Sequence, residues 1–140
     1  MKNWFFIIPF LVIFSCSKEY STYATHLQGY WEIDRVEQNS KVIRQFTVSP
    51  IVDYWQIAED NTGFRKKVMP NLEGKIVVTQ HSIPFVIKIE DNKYNIHYND
   101  NGVEHVETVV KASKEEIVIT NTEGLTYYYK PYEPIDLNDE

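Results

Sequence analysis

Apolar and polar residues alternate over short stretches through most of this chain. From Tyr30 to Lys130, runs rich in Val, Ile, Tyr, Phe and Thr are interrupted by clusters of Asn, Asp, Gly and Glu. This pattern is typical of β-strands joined by tight turns. No run of about ten or more residues has helical periodicity, so any helix should be short and lie near Tyr23–Leu27. The pattern predicts an all-β fold.

The turn residues and the apolar pattern agree on the register of successive hairpins. A two-residue turn at Asp91-Asn92 pairs Ile87 with Ile96 and puts both on one face. The same turn pairs Phe85 with Tyr98 and Ile89 with Tyr94. Pairs predicted at the other turns are Ile57 with Phe64, Val68 with Val78, Ile96 with Val106, Val110 with Ile117, and Ile119 with Tyr127.

These hairpins keep one apolar face along the whole chain. An antiparallel meander of about eight to ten strands buries such a face when it closes into a barrel. Closure also removes the exposed strand edges that favour aggregation. A β-sandwich is the alternative architecture.

The amino terminus has a different character. Lys2 precedes an apolar run over Trp4–Phe14, which leads to Ser15 and Cys16, the order of an export signal. The run is much shorter than the roughly 20 residues of a membrane-spanning helix. Ile13-Phe14-Ser15-Cys16 resembles the bacterial lipobox, which implies cleavage before Cys16 and acylation of that cysteine. An ordinary signal peptide with an incidental cysteine is the alternative.

This interpretation divides the chain into four parts. Residues 1–15 form the signal peptide, 16–26 the lipidated cysteine and a flexible tether, 27–132 the barrel, and 133–140 an acidic tail. Because Cys16 is the only cysteine, the barrel folds without an internal disulfide. We expect an outer membrane lipoprotein of the cell envelope, with the periplasmic face and the cell surface both open.

Gly29-Tyr30-Trp31, at the start of the first predicted strand, resembles the Gly-x-Trp signature of lipocalins. The resemblance implies a lipocalin-like barrel over most of the chain that follows the tether. In that family the Trp closes one end of the barrel, and a basic residue of the last strand packs across it. Gly29, Trp31 and Lys130 hold these places here, with a cation–π contact expected between Lys130 and Trp31.

Strand alternation predicts two cations on the inner face of the barrel. If Trp31 points inward, so does Arg35, and if Phe64 points inward, so does Lys66. A buried cation needs a partner or a ligand, so an acidic head of an amphiphile is expected beside them. The predicted ligand-binding residues are Arg35, Lys66, Gln80, Tyr94 and Tyr127.

Two alternatives stand beside this site. A bulge could turn Arg35 and Lys66 outward, or both could lie at strand ends and reach solvent. The same alternation puts Arg65 and Lys67 on the outer face, as a solvated strand surface.

Composition narrows the classes of function. Lys and Arg number 14 against 20 Asp and Glu, a net charge of −6, which argues against nucleic acid as a partner. No nucleophile elbow, metalloprotease helix or phosphate-binding glycine loop is present, so we expect neither an enzyme nor a cofactor.

The histidines offer one geometric candidate for a metal. The predicted hairpin sets His97 opposite His105 on the outer face, where Glu107 or Asp100 would be a third zinc ligand. A metal-free, solvent-exposed pair is the alternative, and we predict no metal site.

The sequence therefore predicts a monomeric lipoprotein that binds a small hydrophobic or amphiphilic ligand and is held on the membrane by the lipid on Cys16. The alternative is an envelope protein-interaction module without a small ligand, for example an inhibitor of a lytic enzyme.

Overall fold

Antiparallel strands dominate the computed structural model of the protein, which describes residues 20–71 and 73–134. A 3₁₀ turn over Tyr20–Thr22 leads into the short helix α1 (Tyr23–Leu27). The strands that follow are β1 (Gly29–Gln38), β2 (Lys41–Gln45), β3 (Val52–Ile57), β4 (Thr62–Pro70), β5 (Ile76–Glu90), β6 (Lys93–Asp100), β7 (Val103–Ala112), β8 (Ile117–Asn121) and β9 (Leu125–Pro131).

The sheet closes on itself through β1. Each strand from β3 to β9 pairs with the next, while β1 pairs with β3 on one edge and with β9 on the other. Eight strands thus form the ring, and β2 is an extra strand on the second half of β1. The predicted antiparallel meander closed into a barrel is confirmed, and the β-sandwich is wrong.

The predicted β5–β6 register is confirmed: Phe85 faces Tyr98, Ile87 faces Ile96 and Ile89 faces Tyr94. Asp91 and Asn92 have φ angles of 50° and 57°, the left-handed conformation of a tight two-residue turn. The predicted pairs Val68 with Val78 and Ile119 with Tyr127 are confirmed as well.

The predicted β7–β8 register is wrong. Val109 faces Ile119 and Ala112 faces Ile117, with a bulge between Val109 and Lys111. The bulge puts one extra residue in β7 and leaves Val110 exposed. A regular two-residue hairpin, assumed from the sequence, has no place for this residue.

The two ends of the barrel differ. At the closed end lie α1 and the turns at residues 58–61, 91–92 and 113–116; the mouth lies at the other end, between the turns at 39–40, 71–75, 101–102 and 122–124. Leu27 is 0 % exposed and packs in the core with Trp31, whose Nε1 donates to the Leu27 carbonyl over 3.0 Å. Helix α1 therefore plugs the closed end.

The predicted short helix is confirmed, but the predicted tether of residues 16–26 is too long. Tyr20 Oη donates to the Asn92 carbonyl over 2.6 Å, and Tyr23 Oη donates to that of Val110 over 3.3 Å. Aromatic side chains in this polar segment thus tie it to the barrel from Tyr20 onward. Among the residues described, no helix is long and apolar enough to cross a membrane.

Candidate functional site

A cluster of charged side chains occupies the barrel interior on the mouth side of the apolar core. Arg65, on β4, donates through Nη2 to Asp53 Oδ2 on β3 over 2.9 Å and through Nη1 to Glu107 Oε2 on β7 over 3.4 Å. Lys67 Nζ donates to the other carboxylate oxygen of Asp53 over 3.3 Å. The side chains of Arg65 and Asp53 are only 13 % and 7 % exposed. Two cations and two carboxylates therefore compensate one another.

Aromatic side chains hold the Arg65 guanidinium in place. Its carbon lies 4.8 Å from the ring centroid of Trp55, which suits a cation–π interaction. Nη2 also donates to Tyr129 Oη over 2.9 Å. Trp55 Nε1 in turn points to Tyr98 Oη at 3.5 Å. Packing and hydrogen bonds together leave the guanidinium one orientation.

The β3–β4 turn determines that Arg65, and not Lys66, points inward. Asn61 has a φ of +64°, and the tight loop before Thr62 pairs Ile57 with Gly63 and Gln56 with Phe64. The predicted pairing of Ile57 with Phe64 is therefore wrong by one residue. Because alternation has a period of two, this slip exchanges the inner and outer faces of β4.

Gly63 permits that register. A Cβ at Gly63 would lie 2.3 Å from the Gln56 carbonyl oxygen and 2.6 Å from the ring of Phe85. Both distances are far below van der Waals contact. A side chain has no room at this inward position, so the ring of Phe85 fills it.

The β6–β7 turn brings Glu107 inward. Asn101 and Gly102 have φ angles of 52° and 86° and form a two-residue turn, so that Ile96 faces Glu107. The predicted three-residue loop, with Ile96 facing Val106, is wrong. The slip again reverses one strand and turns a carboxylate towards Arg65.

The surroundings keep these groups ionised. Burial alone would lower the pKa of Arg65, but Tyr129 and Asp53 raise that pKa well above its ordinary value. Burial alone would raise the pKa of Asp53, but Arg65 and Lys67 lower it. Burial also raises the pKa of Tyr129 and of Tyr98. At neutral pH the cluster therefore contains fixed charges and neutral phenols.

A cavity of about 320 Å³ opens at the mouth above this cluster; its lining is Ile51, Arg65, Lys67, Met69, His81 and Ile83. The Lys67 side chain is 59 % exposed, whereas its partner Asp53 is buried. His81 Nε2 lies 3.0 Å from Asp100 Oδ1 at the rim. Arg65 Nε is buried without a hydrogen-bond partner among the described residues. The cavity therefore shows cations to a ligand, with the cluster's carboxylates beneath them.

The two cations predicted inside lie on the outer face. A bulge between Ile33 and Arg35 turns Arg35 outward, where its guanidinium carbon is 3.6 Å from the Tyr128 ring centroid. Arg35 also binds Asp34 and Glu37 over 3.1 and 2.9 Å. This is the bulge that the sequence left open as an alternative, and the inward orientation of Arg35 is wrong.

Lys66 is likewise outside. It pairs in register with Tyr54, and its Nζ lies 4.8 Å from the ring centroid of Phe64. The expectation that Lys66 points inward while Arg65 and Lys67 point outward is therefore reversed.

The other predicted ligand-binding residues are spread along the barrel. Tyr127 packs against the core, and its Oη accepts a hydrogen bond from Asn121 Nδ2 over 3.4 Å. Tyr94 is buried at the closed end, against the rings of Tyr20 and Tyr23. Gln80 belongs to β5, but its side chain lies outside the described residues. The structure does not bring Tyr94 to the mouth cavity.

The predicted barrel-closing residues take different positions. Trp31 is buried in the core as expected, and Gly29, with a φ of +115°, turns the chain from α1 into β1, a conformation that favours glycine. Lys130, however, pairs in register with Glu32, and its Nζ lies 4.0 Å from Glu32 Oε1. Lys130 therefore lies on the outer face, and the expected contact with Trp31 is wrong. The cation–π pair of the interior is Arg65 with Trp55.

The histidine pair is not formed. His97 faces Val106, while His105 faces Tyr98 and stacks on its ring at 4.6 Å. His97 Nε2 lies 2.7 Å from Glu90 Oε2 instead. The expected opposition of His97 and His105 is wrong, because of the same slip that brings Glu107 inward. Within the described ranges, no three His, Cys, Asp or Glu side chains are grouped as a metal site requires.

The sequence interpretation missed Asp53 and assigned Arg65 and Glu107 to the wrong face or role. A signal was available at Asp53, which stands alone among apolar residues in Ile51-Val52-Asp53-Tyr54-Trp55. An isolated carboxylate in such a strand calls for a buried cation.

Comparisons with known proteins agree with this architecture. The model of the lipocalin-like domain family matches residues 27–119. A protein of undescribed function from Bacteroides eggerthii is 15% identical, covering 76% of this chain and 99% of its own, with a TM-score of 0.46. A lipocalin-like protein from Bacteroides uniformis is 11% identical, with the same coverage and TM-score. No curated protein matches the chain.

Proposed function

Because the chain belongs to the lipocalin-like domain family, we propose that it binds a small amphiphilic molecule with an acidic head at the mouth of its barrel. It does so as a lipoprotein of the cell envelope, held by lipid on Cys16. The observation that carries the ligand proposal is the mouth cavity, in which exposed Lys67 and buried Arg65 lie beside apolar side chains. Members of this family generally bind molecules and do not catalyse reactions, and we propose no catalytic group here.

The charges of the mouth favour an acidic head group. Lys67 and His81 are more than half exposed, and a carboxylate reaching Lys67 gains a charge-assisted hydrogen bond. Arg65 Nε, buried and without a described partner, is a second donor facing an interior that cannot supply water freely.

The walls of the cavity favour an apolar tail. Ile51, Met69 and Ile83 line it together with the stems of the two cations. Its volume of about 320 Å³ lies at the lower end of the range for small-molecule sites, roughly 300 to 1,000 Å³. The deeper interior is filled by side chains such as Trp55, Tyr98 and Ile96. A ligand therefore stays near the mouth and does not thread the barrel.

Displacement of a fluorescent fatty acid from the soluble domain by decanoate tests the proposal. Lys67→Ala should weaken binding about tenfold, since a hydrogen bond to a charged group contributes about 1.5 kcal/mol or more. Lys66→Ala is the matched control, one residue away on the outer face, and should leave affinity unchanged. Equal affinities of the two variants, or no binding by the parent domain, would remove the mouth from consideration.

The location is proposed from the sequence around Cys16. A charged start, a short apolar run and a small residue before the cysteine support export and acylation. Mass spectrometry of the protein extracted from membranes should find an acylated Cys16 as the first residue. A chain that begins elsewhere or carries a free thiol would contradict the anchor.

A protein-interaction module is the second candidate, favoured by apolar side chains exposed around the mouth and on β2: Val42, Ile43, Val48, Val77 and Val103. Exposed apolar patches mark interaction surfaces. Native mass spectrometry of the purified domain separates the candidates, because a ligand-binding barrel retains lipid, whereas an empty domain that also ignores the probe supports an interaction module.

A further inference from the structure

The described structure begins very close to the proposed lipid anchor. Tyr20 is the fourth residue after Cys16, and it is already fixed to the barrel by its hydrogen bond to Asn92. Four residues of extended chain span at most about 14 Å. The lipidated cysteine is therefore confined to the neighbourhood of Tyr20.

Tyr20 belongs to the closed end of the barrel, away from the cavity. Its ring lies 5.1 Å from that of Tyr23 and 5.8 Å from that of Tyr94. Strand β6 starts here at Lys93 and runs for eight residues to Asp100 near the mouth. At about 3.3 Å per residue and a tilt of about 40°, the two ends of β6 are roughly 20 Å apart along the barrel axis.

From these two facts we infer that the closed end faces the lipid bilayer and that the mouth opens away from it, into the aqueous compartment. The inference rests on the anchoring at Cys16 proposed above. The occupant of the closed end is the surface of the membrane that holds the acyl chains. A ligand then reaches the mouth through water and does not slide in sideways from the bilayer.

The tether determines this orientation, since charge does not favour it. Turns at the closed end mix both signs, with acids in the majority: Glu59, Asp60, Asp91, Lys114, Glu115 and Glu116. Such a surface is not drawn to anionic lipid, in contrast to a polybasic one. We therefore expect the orientation to be insensitive to salt, whereas docking through charge would weaken as salt screens it.

Energy transfer from a protein-bound dye to a head-group acceptor dye tests the orientation in phosphatidylcholine vesicles carrying the full lipidated protein. Lys93→Cys and Glu104→Cys are a matched pair at the two ends of the barrel, both exposed in the structure. Because Cys16 is the chain's only cysteine and is acylated, each variant has one reactive thiol. Transfer should be clearly more efficient from position 93 than from position 104, in low and high salt alike.

A variant with about ten Gly and Ser residues inserted between Lys18 and Glu19 is the control, because such a linker is flexible and should abolish the difference. Equal transfer from both positions without the insert, or stronger transfer from position 104, would overturn the orientation. A difference that survives the insert would show that the tether does not cause it. An unacylated Cys16 would overturn anchoring and orientation together, while the probe displacement on the soluble domain tests ligand binding separately.

Discussion

The interior of the barrel is apolar at the closed end and charged towards the mouth. Leu27, Ile96 and Ile119 fill the first region and are almost fully buried. Arg65, Asp53 and Glu107 form the second. The same strands and the same inward alternation build both regions, so the difference lies entirely in the side chains placed at inward positions.

The two regions contribute to stability in different ways. Apolar burial adds about 25 cal/mol per Å² removed from water and depends on no single partner. A buried ion cluster gains little net free energy, because desolvation offsets the attraction between the charges, but breaking it leaves an uncompensated charge. The cluster is thus a poor device for stability, and its place under the mouth cavity agrees with a role in binding.

The sharpest way to expose this difference is to remove Asp53. Asp53→Ala leaves the buried guanidinium of Arg65 with Glu107 as its remaining carboxylate contact, and we expect the free energy of unfolding to fall by about 3 to 5 kcal/mol. Urea denaturation measures the loss. Glu73→Ala, in an exposed pair with Lys75, is the control and should cost at most about 0.5 kcal/mol. Similar losses for both variants would mean that the cluster is not buried in solution.

Truncating the plug probes the apolar region in the same units. Leu27→Ala should lower the free energy of unfolding by about 2 to 5 kcal/mol through lost transfer free energy and the cavity left behind. Its neighbour Gln28 is exposed, and Gln28→Ala should change stability by less than about 0.5 kcal/mol. If Leu27→Ala were as mild as its control, helix α1 would not be closing the barrel.

Sequence alone recovered the apolar region better than the charged one. The β5–β6 hairpin was predicted correctly because Asp91-Asn92 forms a regular two-residue turn between strands whose apolar residues alternate without a break. Wherever apolar residues stand on both faces of a strand, as with Phe64 and Val68 on β4, the pattern tolerates a shift of one residue. Turn length then decides the register.

Turn length is what the sequence interpretation could not supply. Left-handed Asn61 and Asn101 each shorten a loop by one residue, and bulges add residues beside Arg35 and in β7. Each such change reverses a strand. One slip exchanged Lys66 for Arg65, and another hid Glu107. The charged cluster depends on long-range pairing across three strands, which no local pattern records.

Acid should weaken the mouth region and leave the apolar region unaffected. Arg65 and Lys67 lower the pKa of Asp53 in the folded protein, so its contribution to stability is complete above the unfolded value of about 3.9 and is lost as pH falls through the lower folded pKa. Protonation leaves the side chain in place, so this loss is smaller than that of Asp53→Ala. Thermal unfolding between pH 7 and pH 2 measures it.

The variant Asp53→Asn isolates this contribution, because it cannot titrate. It should be less stable than the parent at neutral pH and should lose less stability on acidification. Glu73→Gln, at an exposed site, should keep the parent's pH profile. Parallel profiles for Asp53→Asn and the parent protein would assign the acid sensitivity to other carboxyl groups.

Two buried tyrosines provide the finest comparison, one in each region. Tyr129 Oη accepts a hydrogen bond from Arg65, so Tyr129→Phe should cost about 1.5 to 3 kcal/mol. Tyr94 Oη is buried with no partner among the described residues, and burial raises the pKa of Tyr94 to about 12. Removing an unpaired buried hydroxyl deletes no hydrogen bond, so Tyr94→Phe should leave the free energy of unfolding within about 0.5 kcal/mol of the parent or raise it. A loss as large as that of Tyr129→Phe would mean that Tyr94 Oη has a partner in solution, and that the closed end is less purely apolar than its side chains indicate.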